Sequence, residues 1–114
     1  IINDEKLIIN FSSINSKGVC GQAAYSSGKS AIETFSRVLS QELGFLKIRV
    51  VCIAPGYFDL ASTNRNLSKN NKASIINETP LRRFGKIKEL IKAINFIISN
   101  KFFNGKTLKI DGGL

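Results

Sequence analysis

Hydrophobic residues along this chain form two patterns, short runs and longer stretches in which they recur every third or fourth position. The Ile-rich runs at residues 7–11 and 48–54 are typical of strands buried on both faces of a parallel sheet, and residues 107–110 predict a last short strand. The recurring steps predict helices over residues 24–43 and 86–100. Strands and helices therefore alternate, which indicates an α/β fold with a parallel sheet.

Each of the two predicted helices carries an apolar stripe along one face. The first carries Ile32, Phe35, Val38, Leu39 and Leu43, and Gly44 marks its end. The second carries Ile87, Leu90, Ile91, Ile94, Ile97 and Ile98. The steps of Ile32, Phe35 and Leu39 suit burial in the chain's own core and burial against another subunit equally well.

Residues 57–79 break this regularity. They are polar and rich in asparagine, with weak helical hints only near residues 73–76. A segment of this length without strong periodicity predicts a lid or binding loop.

Three strands make only half a sheet. They leave an open edge and an uncovered face, so the chain is expected to pair with more sequence or to be a fragment. At 114 residues the chain is expected to form one unit around one core.

The formal net charge of +9 does not by itself indicate a nucleic-acid-binding protein. A basic domain is the usual electrostatic footprint of nucleic-acid binding, but the 17 Lys and Arg residues are scattered without a dense block. A solvated basic surface is the preferred interpretation, and no nucleic-acid partner is expected.

Cysteine and histidine usage excludes several kinds of site. Cys20 and Cys52 lie far apart and the chain has no histidine, which removes zinc-ligand spacings and most Cys/His catalysis. We therefore expect no metal. The cysteines are expected to be reduced thiols of a cytoplasmic protein. No apolar run is long enough to cross a bilayer, so no membrane partner is expected.

Tyr25 and Lys29 lie four residues apart near the start of the first predicted helix, and therefore share one face. An ammonium group near a phenol favours the anionic form, so such a tyrosine can exchange a proton with a carbonyl or alcohol oxygen. A serine at the preceding strand end can hydrogen-bond that oxygen. Taken alone, the pair is more often a solvated helix face.

The order of the motifs decides between these interpretations. Paired serines end a strand, GQAAYSSGKSA opens the helix, and IRVVCIAPG forms the next strand. PLRRFGKIKEL then precedes the last helix, and NGKTLKIDGGL closes the chain. In this order the sequence resembles the short-chain dehydrogenase/reductase family, of the bacterial 3-oxoacyl-carrier-protein reductase or sugar- and polyol-dehydrogenase type.

The resemblance implies a fold and a set of catalytic residues. The fold is the C-terminal half of a doubly wound, Rossmann-like parallel sheet with flanking helices. Tyr25 would be the catalytic acid/base, and Lys29 would favour its anion and hold the nicotinamide ribose. Ser13 would be the catalytic serine, with Ser12 as the alternative because the two are adjacent.

The resemblance also implies a cofactor, NAD or NADP. Besides Tyr25 and Lys29, the residues expected beside it are Pro55 and Gly56 at the strand end and the backbone amide of Phe58. Leu60 departs from the family, which commonly has a threonine there. Ser62 and Thr63 are the candidates to replace its hydroxyl.

A larger departure from the family is that residues 1–114 lack several of its cofactor-binding features. They include no glycine-rich turn between a first strand and helix, and no residue that would choose NAD or NADP. The family's relay asparagine would also lie before Ile1. We therefore expect residues 1–114 to be a single partial domain, the catalytic half without its dinucleotide-binding half, and inactive alone.

Two functions remain open from the sequence. The first is an NAD(P)-dependent oxidoreductase that moves a hydride between nicotinamide and a small carbonyl or alcohol substrate, as a homo-oligomer (dimer or tetramer) in its full-length form. The second is a non-catalytic remnant or oligomerisation module. The identity of the substrate is not encoded in any pattern of the chain.

Overall fold

The structure, a computed structural model, describes residues 4–114. In this range there are three strands and four helices, and the predicted strand-helix-strand-helix-strand order holds, with two further helices before the last predicted one. Their bounds are β1 Lys6–Phe11, α1 Ala23–Leu43, β2 Ile48–Pro55, α2 Ala61–Asn66, α3 Lys69–Glu78, α4 Ile87–Ser99 and β3 Thr107–Ile110. Short 3-10 turns follow β1 and α1. The α/β prediction is confirmed.

The sheet is parallel throughout, in the order β1-β2-β3. Its register pairs Ile9 with Val51 and Ile53 with Leu108. β2 is the central strand and is almost wholly buried. Helix α4 packs Leu90, Ile94 and Ile97 into the core around it. Helix α1 also contacts β2, but its buried residues are three serines, Ser26, Ser36 and Ser40. Val51, Ile53 and Ile97 form the centre of the core.

The prediction that β1 is buried on both faces is wrong for the described residues. Leu7 and Ile9 pack against the core, but Ile8 and Phe11 keep 37% and 43% of their surface exposed. Within residues 4–114, β1 has no second neighbouring strand on its outer edge. The open edge that follows from a three-strand sheet is therefore present.

Helix α1 ends at Leu43, as the glycine at position 44 indicated, but by a different backbone geometry. Gly44 keeps a right-handed helical conformation and begins a 3-10 turn. The chain reverses at Lys47, which adopts the left-handed conformation with φ of 58°. The glycine therefore does not supply the left-handed cap that its position predicted.

The prediction of a loop over residues 57–79 is wrong, since α2 and α3 occupy most of it. Polar side chains cap both ends of α3: Ser68 accepts a hydrogen bond from the Asn71 amide at 3.2 Å, and the Thr79 hydroxyl donates to Ile75 O at 2.7 Å. Helix α2 has no side-chain cap at its start. Capping needs no apolar stripe, so hydrophobic periodicity could not reveal α3.

Arg49 fastens α4 to the sheet. Its buried guanidinium donates to the carbonyl oxygens of Ile97, Asn100 and Phe103 at 3.0, 3.2 and 2.9 Å. The last carbonyls of a helix lack partners within it and carry partial negative charge, so a cation there stabilises the helix.

Candidate functional site

A cleft of about 810 Å³ opens where β1 and β2 end. Its walls come from these strand ends, the start of α1 and helix α2. Its lining residues are Ser12 to Asn15, Gly21 to Tyr25, Pro55 to Tyr57, Ser62, Thr63, Asn66 and Leu67. Ligands of open parallel sheets bind at the carboxyl ends of the strands, and this cleft lies there.

The adjacent serines at the end of β1 have different partners. Ser12 is buried, and its hydroxyl lies 2.7 Å from Glu33 Oε1 and 3.1 Å from Lys29 O. Ser13 Oγ accepts a hydrogen bond from the Asn15 amide at 3.2 Å. The hydroxyl hydrogen of Ser12 therefore points at helix α1, while that of Ser13 finds no acceptor among the described residues.

Tyr25 lies in the first turn of α1, lines the cleft and keeps half of its surface exposed. Lys29, one turn later, places its ammonium nitrogen 5.8 Å from the centre of the Tyr25 ring. The same nitrogen donates to Phe11 O at 3.1 Å. Lys29 therefore joins the strand end to the helix and puts a positive charge beside the phenol.

Glu33 continues this face of α1 one turn further. Its Oε1 accepts hydrogen bonds from Ser12 at 2.7 Å and from Ser16 at 2.6 Å. This residue was not among those predicted from the sequence. The repeat Tyr25, Lys29, Glu33 at intervals of four was the available signal, because such residues align on a helix.

Pro55 and Gly56 form the floor of the cleft at the end of β2. The Gly56 amide donates to Ile110 O at 2.8 Å, and a Cβ on Gly56 would lie 2.8 Å from Asp111 Cα. Position 56 must therefore be glycine for β2 and the turn after β3 to approach this closely.

Phe58 and Lys29 are the two predicted site residues that do not line the cleft. The ring of Phe58 is buried on Gly85, where a Cβ would lie 2.5 Å from Phe58 Cε1. Residues 57 and 59 hydrogen-bond to Gly85. Because successive amides of an extended chain point to opposite sides, the Phe58 N–H faces away from Gly85.

Helix α2 forms the outer wall of the cleft. Leu60 immediately precedes it, and Ser62 and Thr63, the proposed substitutes for the missing threonine, both line the cleft. Tyr57 and Asn66 also line it and were not predicted. Asn66 reaches the cleft because it lies on α2. Since the sequence shows no helical periodicity in this segment, Asn66 could not be predicted as a site residue.

The described part of the chain lacks the features of a metal site or a membrane span. Residues 4–114 hold no cluster of three or more His, Cys, Asp or Glu side chains that could bind a metal. Cys20 and Cys52 are free thiols, and burial, followed by the nearby Glu33 charge, raises the pKa of Cys52. None of the helices in this range is long and apolar enough to span a bilayer.

The sequence is similar to known proteins over nearly its whole length. Residues 1–114 match the family described as Enoyl-(Acyl carrier protein) reductase. A 3-oxoacyl-[acyl-carrier-protein] reductase of Chlamydia muridarum is 41% identical over 110 residues, which covers 94% of this chain and 44% of that protein. The human 3-oxoacyl-[acyl-carrier-protein] reductase is 37% identical over 108 residues, with the same two shares. The chain thus spans less than half the length of these relatives.

Solved structures match the fold. A short-chain dehydrogenase/reductase of Brucella melitensis, described as a glucose/ribitol dehydrogenase, has a TM-score of 0.85 and 31% identity, covering 96% of this chain and 45% of that one. A short-chain dehydrogenase of Leptospira borgpetersenii with bound NAD+ has a TM-score of 0.83 and 30% identity, covering 94% and 43%. The predicted fold, half of a doubly wound parallel sheet, is confirmed.

Proposed function

The chain belongs to the short-chain dehydrogenase/reductase family, and on that premise we propose that it supplies the proton-transfer site of an NAD(P)-dependent oxidoreductase acting on a carbonyl or alcohol. One observation carries the proposal: Ser13 and Tyr25 line the same cleft, with the Lys29 ammonium beside the Tyr25 ring. Together, a weak acid, an uncharged hydrogen-bond donor and a fixed cation can protonate a carbonyl oxygen and stabilise the negative charge that develops on it during reduction.

Ser13, rather than Ser12, is the proposed catalytic serine. Ser12 already directs its hydroxyl to Glu33, whereas Ser13 only accepts, from the Asn15 amide. A hydroxyl has one hydrogen, so Ser13 keeps it for a substrate oxygen. As negative charge grows on that oxygen, the serine hydrogen bond stabilises it.

Tyr25 is the proposed acid/base. In the reducing direction its phenol gives a proton to the substrate oxygen, and in the oxidising direction the phenolate takes one. The Lys29 ammonium, held by Phe11 O, stabilises the phenolate charge in either direction. Because the ring is half exposed, a substrate in the cleft can reach the phenol oxygen.

The residues of the cleft fit the nicotinamide end of a dinucleotide. Gly56 permits close approach to the sheet end. Phe58 does not line the cleft, but its N–H faces away from Gly85, the partner of residues 57 and 59, and is the proposed donor to a carboxamide. When bound, nicotinamide would supply or accept the hydride. The Leptospira relative is described with NAD+, and both NAD and NADP stay candidate cofactors for this chain.

We further propose that residues 1–114 are one partial domain, which works with a dinucleotide-binding half outside them. They contain no glycine-rich turn for the pyrophosphate, so this polypeptide alone should bind cofactor too weakly to turn over. Fluorescence titration with NADH and NADPH tests this. Micromolar affinity of the isolated 114 residues would overturn it.

The catalytic assignment is tested by Tyr25→Phe in the full-length protein, with a 3-oxoacyl thioester and simple polyols as trial substrates. Loss of the phenol should lower kcat by at least about 10²-fold, the usual contribution of general acid/base catalysis, while cofactor binding stays close to normal. Phe45→Leu, on the highly exposed surface after α1, is the control. Equal activity of the Tyr25→Phe and Phe45→Leu variants would reject the assignment.

An oligomerisation module is the second candidate, favoured by exposed apolar side chains on two helices. Phe35 and Val38 on α1 are 59% and 43% exposed, and Ile91 and Ile98 on α4 are also exposed. We propose that these faces contact a second copy of the chain. Light scattering of the full-length protein and its Phe35→Glu variant tests this, and an unchanged mass would count against it.

A further inference from the structure

One stripe of helix α1 holds three functional groups in succession. Tyr25, Lys29 and Glu33 recur every four residues and so lie above one another along the helix. Tyr25 faces the cleft, and Lys29 donates to the end of β1. Glu33 is the member of this stripe to which the proposed reaction gives no role.

The Glu33 carboxylate binds the segment that carries Ser13 at two points. Ser12 and Ser16 both donate to the same oxygen, Oε1, at 2.7 and 2.6 Å. One anchor immediately precedes Ser13, and the other lies in the 3-10 turn that Ser13 caps. The short chain between the anchors is thereby fixed to the helix that bears Tyr25.

This arrangement is not an ordinary surface ion pair. Glu33 belongs to neither of two surface ion pairs of the described residues, Arg83 with Glu89 and Lys101 with Glu5. Lys29, one turn away, directs its charge to Phe11 O instead. The carboxylate oxygen is therefore available to both serines, and hydrogen bonds to a charged acceptor are roughly twice as strong as neutral ones.

We propose that Glu33 is a positioning residue, whose carboxylate clamps Ser12 and Ser16 and so fixes the Ser13 hydroxyl at the distance from Tyr25 that the reaction needs. The proposal rests on the proposed function, since it presumes that Ser13 and Tyr25 act on one oxygen. Reacting groups held on two separate elements lose up to roughly 10²-fold in rate for a displacement of about 1 Å. A clamp between the elements prevents that displacement.

The test compares Glu33→Ala with Glu42→Ala in the full-length protein. Both remove a glutamate carboxylate from α1, but Glu42 is exposed and distant from the cleft. Amide hydrogen exchange of residues 13–17 reports the clamp without reference to activity. Steady-state kinetics at saturating cofactor report its effect on kcat and KM separately.

We expect Glu33→Ala to speed exchange in residues 13–17 and to lower kcat by about 10-fold or more with KM nearly unchanged, because geometry and not binding is lost. Glu33→Gln keeps an acceptor oxygen and should stay within about 3-fold of the original kcat, since its hydrogen bonds are weaker but still formed. Glu42→Ala should change neither measurement. Should Glu33→Ala fail to fold, Ser16→Ala removes one of the two bonds and should show both effects in smaller measure.

Unchanged exchange in Glu33→Ala would overturn the clamp. Faster exchange with unchanged kcat would overturn its role in positioning. The Tyr25→Phe variant separates this failure from that of the proposed function. If Tyr25→Phe loses activity and Glu33→Ala does not, the positioning role alone is wrong, and if Tyr25→Phe keeps activity, the proposed reaction is wrong with it.

Discussion

Replacing Lys29 by methionine should lower the rate of hydride transfer much more than it lowers the free energy of unfolding. The change removes the ammonium 5.8 Å from the Tyr25 ring and its hydrogen bond to Phe11 O, but keeps an unbranched stem of similar length. The bond is near the surface, where water can replace the ammonium at the carbonyl, so its loss should cost about 1 kcal/mol. Native domains hold roughly 5–15 kcal/mol, so the variant should stay folded.

The expected effect on the reaction is larger. Without the cation the Tyr25 phenolate loses its stabilising charge, and hydride transfer should fall by at least about 10²-fold, as general acid/base assistance does when it is lost. That loss corresponds to about 2.7 kcal/mol in the barrier, more than twice the expected change in stability.

The assay pairs a melting curve with the rate of hydride transfer, both measured on the full-length protein. Lys88→Met, the same exchange on α4 away from the cleft, is the matched control. If Lys29→Met keeps its activity, or if its loss of activity follows the unfolded fraction, Tyr25 and Lys29 are only neighbours on a solvated helix. The catalytic interpretation would then be refuted.

Three further predictions follow from packing and charge in the same protein. Gly56→Ala places a Cβ 2.8 Å from Asp111 Cα and should cost about 1–3 kcal/mol and weaken cofactor binding; an unchanged NADH titration would contradict the close approach. Ile97→Ala removes a fully buried side chain and should cost about 2–5 kcal/mol in urea unfolding, whereas a cost under about 1 kcal/mol would contradict its place in the core. Hydrogen bonds from Arg83 lower the pKa of Glu89 from 4.5 to about 2, so its contribution to stability is complete above pH 4.5 and lost as pH falls through about 2. Glu89→Gln should therefore lower the Tm more at pH 7 than at pH 2, and an equal effect at both pH values would contradict this linkage.

The sequence by itself determined the parts of this protein that local patterns encode. Apolar runs located β1 and β2 within one residue at either end, and the three- and four-residue steps located α1 and α4 equally well. In β2 and α4 the pattern reflects burial against the core, because burial depends on spacing that is written in the chain. In α1 the same spacing located the helix, but its buried residues are serines, and Phe35 and Val38 of its apolar stripe are exposed. The pairing of Tyr25 with Lys29 was predictable because residues four apart share one face of a helix.

The tertiary structure decided what depends on partners distant in sequence. Which of two adjacent serines presents its hydroxyl to the cleft depends on Glu33, 21 residues after Ser12. The need for glycine at position 56 arises from Asp111, which only the pairing of β2 with β3 brings near. Neighbouring positions of similar chemistry cannot be distinguished by composition or period. Their roles depend on contacts across the fold: Glu33 takes the hydroxyl hydrogen of Ser12, and Asp111 occupies the space that a side chain at position 56 would need.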